Sequence, residues 1–204
     1  MANVRRVGIL AVAIAGLATA SVLAQNAEAP KEPADAMAAA FERVKKFIEP
    51  GAQHKQLDRF LGDWEMETRF VMGGQSGPGE KGELKCTWLI DGRWIKLETS
   101  GKFMGRDYQG FMILGYDNFK MSYVTTSVSN MDTAMTHSEG DMDPGGDALL
   151  TYGTLDEYMT GEHDKMVKYV WRFPSSDKVV LEVHDLPIGE KNTKVVEFTF
   201  TKKP

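Results

Sequence analysis

Cysteine occurs once in the 204 residues, at Cys86, so no internal disulfide can hold the fold. Cys86 lies in Leu84-Lys85-Cys86-Thr87-Trp88, where apolar and polar residues alternate. No histidine or other base neighbours it in sequence, so it reads as a small buried hydrophobe rather than a reactive thiol. Clusters of Lys and Arg are also lacking, which removes the electrostatic footprint of nucleic acid binding. The four histidines, His54, His137, His163 and His184, never fall at zinc-ligand spacing. There is no Gly-x-Ser-x-Gly elbow, and no repeat of blade length that would make a propeller.

Long apolar runs are lacking as well, except at the start. Arg5 and Arg6 precede Val7–Leu23, an uncharged stretch rich in Ala and Gly, and Val22-Leu23-Ala24 offers modest residues at the positions a signal peptidase reads. Residues 1–24 therefore read as a cleaved signal peptide, with cleavage before Gln25 or, as a second site, before Pro30. An uncleaved anchor is the competing reading, but Ala and Gly make this run weakly hydrophobic. The chain is expected to be exported, periplasmic or secreted, without stable membrane insertion. Removing the segment takes two arginines and no acid with it, moving the net charge from −5 to −7.

Residues 25–35, rich in Ala, Glu and Pro, read as a flexible linker. Met37, Phe41, Val44 and Ile48 then form one apolar stripe of a helix over 36–51 that Pro50-Gly51 ends. A second short helix fits His54–Leu61. From Asp63 the period changes to two. Ten strands are expected, near 63–71, 80–90, 93–103, 106–116, 120–128, 132–142, 147–155, 165–173, 177–186 and 193–202. Asp91-Gly92, Asp117-Asn118 and Asp143-Pro144-Gly145-Gly146 are among the turns between them.

Short loops join only antiparallel neighbours, so ten such strands make an up-and-down meander. An open meander leaves two exposed edges, and closure into a barrel removes them. The expected fold is all-β: a lipocalin-like barrel over 52–204, preceded by one or two short helices. An outer-membrane barrel is disfavoured because charge occurs on both strand faces. In Arg93–Phe103 one face carries Lys96 and Glu98, and no lipid-facing apolar band results.

Several stretches carry a family resemblance. They are His54–Trp64 (HKQLDRFLGDW), Trp88–Trp94, Gly110–Asn118 (GFMILGYDN) with Lys120 and Tyr123, His137-Ser138-Glu139-Gly140, and Glu197–Lys202 (EFTFTK). In this order they resemble the uncharacterised bacterial family known as domain of unknown function 1579, from about residue 52 to the end. The resemblance implies a calycin-type barrel and brings no reaction or ligand. Gly62-Asp63-Trp64 also resembles the Gly-x-Trp that opens the first lipocalin strand, which implies that Trp64 closes one barrel end against a basic residue; Lys202 stands where lipocalins use Arg.

Polar candidates lie on alternating strands whose inward face the pattern alone does not fix. Val179, Leu181 and Val183 alternate with Val180, Glu182 and His184; Tyr169, Trp171 and Phe173 alternate with Lys168, Val170 and Arg172; Thr136, Ser138 and Gly140 alternate with His137, Glu139 and Asp141. With the apolar sets inward, the charged sets form the solvated exterior, the ordinary arrangement. With the mixed sets inward, His137, Glu139, Arg172, Glu182 and His184 line a polar pocket, and either His–carboxylate pair can act as a general base. Met131, Met135 and His137 suggest a soft-metal site only weakly, and His184 or His137 would be the axial residue were haem bound. No metal or other cofactor is implied.

Aromatic residues are the stronger clue. Trp88, Trp94, Tyr108, Tyr123 and Tyr169 are spread over several strands, as the lining of a small-molecule site would be. The chain is expected to be a binding protein for a small apolar or amphipathic molecule and not an enzyme. The alternatives are an enzyme using an inward His–carboxylate pair, or an interaction module whose N-terminal helix docks on a partner.

Overall fold

The structure, a computed structural model, describes residues 33–72, 74–157, 160–186 and 193–204. The signal peptide and most of the linker expected from the sequence lie outside the described residues. The chain divides after Lys45 into two units. Helix α1 (Pro33–Ile48) begins in the first unit and its last residues belong to the second; it carries a Glu42–Lys45 pair one turn apart at 3.8 Å. Its stripe residues Met37, Phe41 and Val44 are exposed. No described helix is long and apolar enough to cross a membrane.

In the second unit a single helical turn, α2 (Ala52–Lys55), continues as a 3-10 helix, Gln56–Phe60. Its strands are β1 (Gly62–Met72), β2 (Gln75–Ser76), β3 (Glu80–Ile90), β4 (Trp94–Phe103), β5 (Arg106–Asp117), β6 (Ser122–Ser129), β7 (Thr136–Met142), β8 (Ala148–Glu157), β9 (Glu162–Ser175), β10 (Lys178–Asp185) and β11 (Thr193–Lys202). Each long strand pairs antiparallel with the next, and β1 pairs with β11 from Trp64↔Lys202 to Phe70↔Val196. The sheet is thus a closed barrel of ten strands, as the turn spacing predicts. The extra strand, β2, is a two-residue flap on the end of β1.

Turn chemistry sets the strand ends. Gly92 takes φ +67° in the tight β3–β4 turn, where Arg93 N donates to Ile90 O at 3.0 Å. The Asp117 carboxylate accepts from the backbone N–H of Phe119 and Lys120, and that of Asp143 from Asp147 and Ala148. β7 begins at Thr136 rather than near 132, because Asp132 folds its carboxylate onto Ala134 N and makes a turn there.

One barrel end is plugged. Leu57 and Phe60 from the 3-10 helix are buried beside Trp64, which is 1% exposed. Trp64 Nε1 donates to Phe60 O at 2.9 Å, and the Phe60 ring meets those of Trp171 and Phe173 edge-on at 5.3 and 5.2 Å. Tyr123 seals the same end by donating its hydroxyl to Gln53 O at 2.9 Å. The β4–β5 and β6–β7 connections lie at the opposite end.

Candidate functional site

Below the plug the lumen is filled by the apolar sets of the alternating strands. Leu84, Leu97, Trp171, Leu181, Val183 and Phe200 are all at or below 9% exposure. The packing stops short of the open end and leaves a cavity of about 250 Å³. Its rim carries Phe103, Tyr108, Phe111, Asp132 and Leu155, and its floor reaches Trp171 and Phe200.

The wall is chemically two-sided. β9, β10 and β11 present Tyr169, Trp171, Leu181, Val183, Val196 and Phe198. Across from them β6 and β7 present small hydroxyl residues. Near the mouth the Ser127 and Thr136 hydroxyls bond to each other. One rung deeper, Thr125 Oγ1 donates to Ser138 Oγ at 2.7 Å, and Ser138 in turn donates to Thr151 Oγ1 at 2.9 Å. All three of these residues are buried. Tyr108 folds over Gly110, where a Cβ would come within 2.4 Å of its hydroxyl, and pairs with the Thr99 side chain. Burial keeps its phenol above the usual range, though the Thr99 hydrogen bond opposes this, and pushes that of Tyr169 up to about 12. Both are neutral donors at physiological pH.

The residues singled out from sequence separate into three places. Tyr108 and Tyr169 line the cavity. Tyr123 and Trp88 belong to the plugged end, Tyr123 2% exposed and Trp88 packed against the core. Trp94 lies over Gly115, where a Cβ would come within 2.1 Å of its ring.

The polar candidates do not reach the lumen. His137 is exposed and bonds Thr126 Oγ1 through Nδ1 at 2.9 Å; the exposed Glu139 pairs with Lys120. Glu182 gathers Arg172 Nε at 3.1 Å, His184 Nε2 at 3.4 Å and Lys194 Nζ at 3.5 Å, on the face opposite Leu181 and Val183. Burial opposes the charge on Glu182, but His184 and Arg172 outweigh it and hold the carboxyl below its usual range. His184 Nδ1 is buried with no hydrogen-bond partner among the described residues. The two histidines suggested for haem are therefore not aimed at the cavity, whose described lining residues include no His, Cys, Lys or Arg.

Among the described residues no cluster of three or more His, Cys, Asp or Glu is placed to hold a metal. His54 is structural: its Nδ1 accepts from Gly51 N at 3.0 Å, and burial lowers its pKa, with a bond to the Tyr116 backbone opposing.

The hydroxyl rungs were not legible as a site beforehand. Their signal is the set Ala134, Thr136, Ser138 and Gly140, which is small and hydroxylic where a packed lumen would need bulk.

A family described as "Protein of unknown function (DUF1579)" matches residues 49–202. Among solved structures, that of Rv2717c from M. tuberculosis aligns with a TM-score of 0.53 at 9% identity, covering 76% of this chain and 100% of that one. A redesigned β-barrel aligns at a TM-score of 0.37 and 9% identity, over 73% of this chain and 96% of its own. No curated protein matches. At these identities the likeness concerns the barrel fold alone.

Proposed function

The chain belongs to the DUF1579 family of proteins of unknown function, and from that premise we propose that its barrel binds a small apolar or amphipathic molecule. The observation that carries this reading is the cavity of about 250 Å³ left between the plug and the open end. A core closes such space when it has no use for it, since an unfilled void destabilises. A cavity of about 150 Å³ holds benzene, so on that scale this one has room for about ten non-hydrogen atoms. Aromatic walls with a few convergent polar groups are the usual design of a small-molecule site. The His–carboxylate pairs face away from this space.

Native mass spectrometry of the purified protein tests the reading. A reproducible extra mass that is lost on denaturation supports it, and a clean apo mass together with failure to take up any added hydrophobe overturns it.

We also propose export, on the composition of residues 1–24. Sequencing the N-terminus of the protein recovered from its native cells checks this: Gln25 or Pro30 is expected, and an intact Met1 contradicts it. A second reading has its own observation, since Met37, Phe41 and Val44 leave an apolar helix stripe exposed, as a docking helix would.

A further inference from the structure

We infer that the occupant of the barrel carries an uncharged hydroxyl or carbonyl head and excludes carboxylates; this deepens the proposed binding function and rests on it. The inference comes from the charge inventory of the cavity. Asp132, at the mouth, is the one acidic side chain among the described lining residues, and no Lys, Arg or His is among them. Its carboxylate is held in place by Ala134 N at 3.0 Å. Fatty acids and other anions need a buried cation or several converging donors to replace lost water; the described lining offers only neutral hydroxyls, such as those of Tyr108, Tyr169 and the Ser127–Thr136 pair, and these leave the charge itself unpaired. Here an entering anion would instead pass Asp132 and meet like charge.

The polar wall matches a neutral head. A hydroxyl has one hydrogen and two lone pairs. The bond between Ser127 and Thr136 consumes one hydrogen, so the pair keeps one hydrogen to donate and lone pairs to accept. That is the complement of an alcohol or a carbonyl. With the head on this wall, the body of the ligand lies against Tyr169, Trp171, Leu181 and Phe198.

The test uses two matched pairs by titration calorimetry at about pH 8, where carboxylic acids are ionised: decanol against decanoate, and naphthylmethanol against naphthoate. The alcohols are expected to bind, with each carboxylate at least about tenfold weaker. The Ser127→Ala, Thr136→Val double variant is expected to weaken the alcohols by about fivefold, as loss of one neutral hydrogen bond would. Asp132→Asn is expected to narrow the gap between alcohol and carboxylate.

Carboxylates binding as well as alcohols would overturn this inference and leave the binding function standing. If no member of either pair binds and the purified protein also shows a clean apo mass and takes up no smaller hydrophobe, the binding function itself falls. Full alcohol affinity in the double variant, or in Ser127→Ala alone should the double variant not fold, would overturn the placement of the head.

Discussion

The ammonium of Lys202 sits 5.3 Å from the centre of the Trp64 ring, so the last strand of the barrel clamps the first across the closing seam. Gly62 makes the room. Its φ is +126°, and a Cβ there would lie 2.9 Å from Lys202 Cε. Gly62→Ala is therefore expected to cost about 2 kcal/mol through backbone strain and displacement of the lysine. Gly74→Ala, at φ +80° with open space around it, is expected to cost about half as much. Urea unfolding of both variants checks the order, and equal losses would refute the clamp.

Thr68 is 1% exposed and its hydroxyl has no hydrogen-bond partner among the described residues. A buried unpaired hydroxyl destabilises the folded state, whereas the methyl of valine does not. Thr68→Val is expected to raise stability by about 1 kcal/mol. A lower urea midpoint in the variant would mean that the hydroxyl is bonded after all.

Alkaline pH should loosen the barrel. Burial pushes the Cys86 thiol up to about 12 from 9.0, and the phenols of Tyr123 and Tyr169 up to about 12 from 10.0. In each case the folded value lies above the unfolded one. The stabilisation is complete below the unfolded value and is lost as pH rises toward 12, starting near 9 with the thiol. Unfolding titrations across this range should show stability falling, with a shallower slope just above pH 9.0 in Cys86→Ala. The native thiol should resist alkylating reagents until the protein unfolds.

Glu182 pairs with Arg172 and Lys194 and bonds His184 on the outer face, and its folded pKa lies below the ordinary 4.5. Its contribution is present above 4.5 and disappears as pH falls through the lowered value. Glu182→Gln is expected to cost about 1–2 kcal/mol near neutrality, with the difference from wild type closing on acidification. Ligand uptake should be unchanged, because this face points away from the cavity. A variant that loses binding would return the His184–Glu182 pair to consideration as a site.

Val183 lines the cavity and is 9% exposed. Val183→Phe is expected to fill that space and weaken ligand uptake at least about tenfold, while the adjoining void absorbs most of the usual overpacking cost of about 1–3 kcal/mol. Calorimetry on the variant checks the first half and thermal unfolding the second.

Much of this architecture was legible from local pattern. The period of two, broken at Asp91-Gly92, Asp117-Asn118 and Asp143–Gly146, gave the ten strands in order, because these residues supply positive φ or bond their own backbone. What alternation could not supply is the sign of each face. Leu181 and Glu182 obey the same period whichever points inward, and only closure of the sheet decides. The cavity was illegible for a related reason. Tyr169 reads the same in a filled lumen as beside an empty one, since the void depends on small residues such as Ser127 and Thr136 failing to meet it across the barrel.

The seam between β1 and β11 joins opposite ends of the barrel sequence, and this orders events in time. While the chain emerges, β1 to β10 can form only a trough with two raw edges, hydrophobic along its floor. An inside comes into being with the final strand. A chain cut short of β11 would hold nothing, however well its earlier strands had folded. Any occupant either enters the finished vessel through the open end or is already lying in the trough when the seam shuts over it.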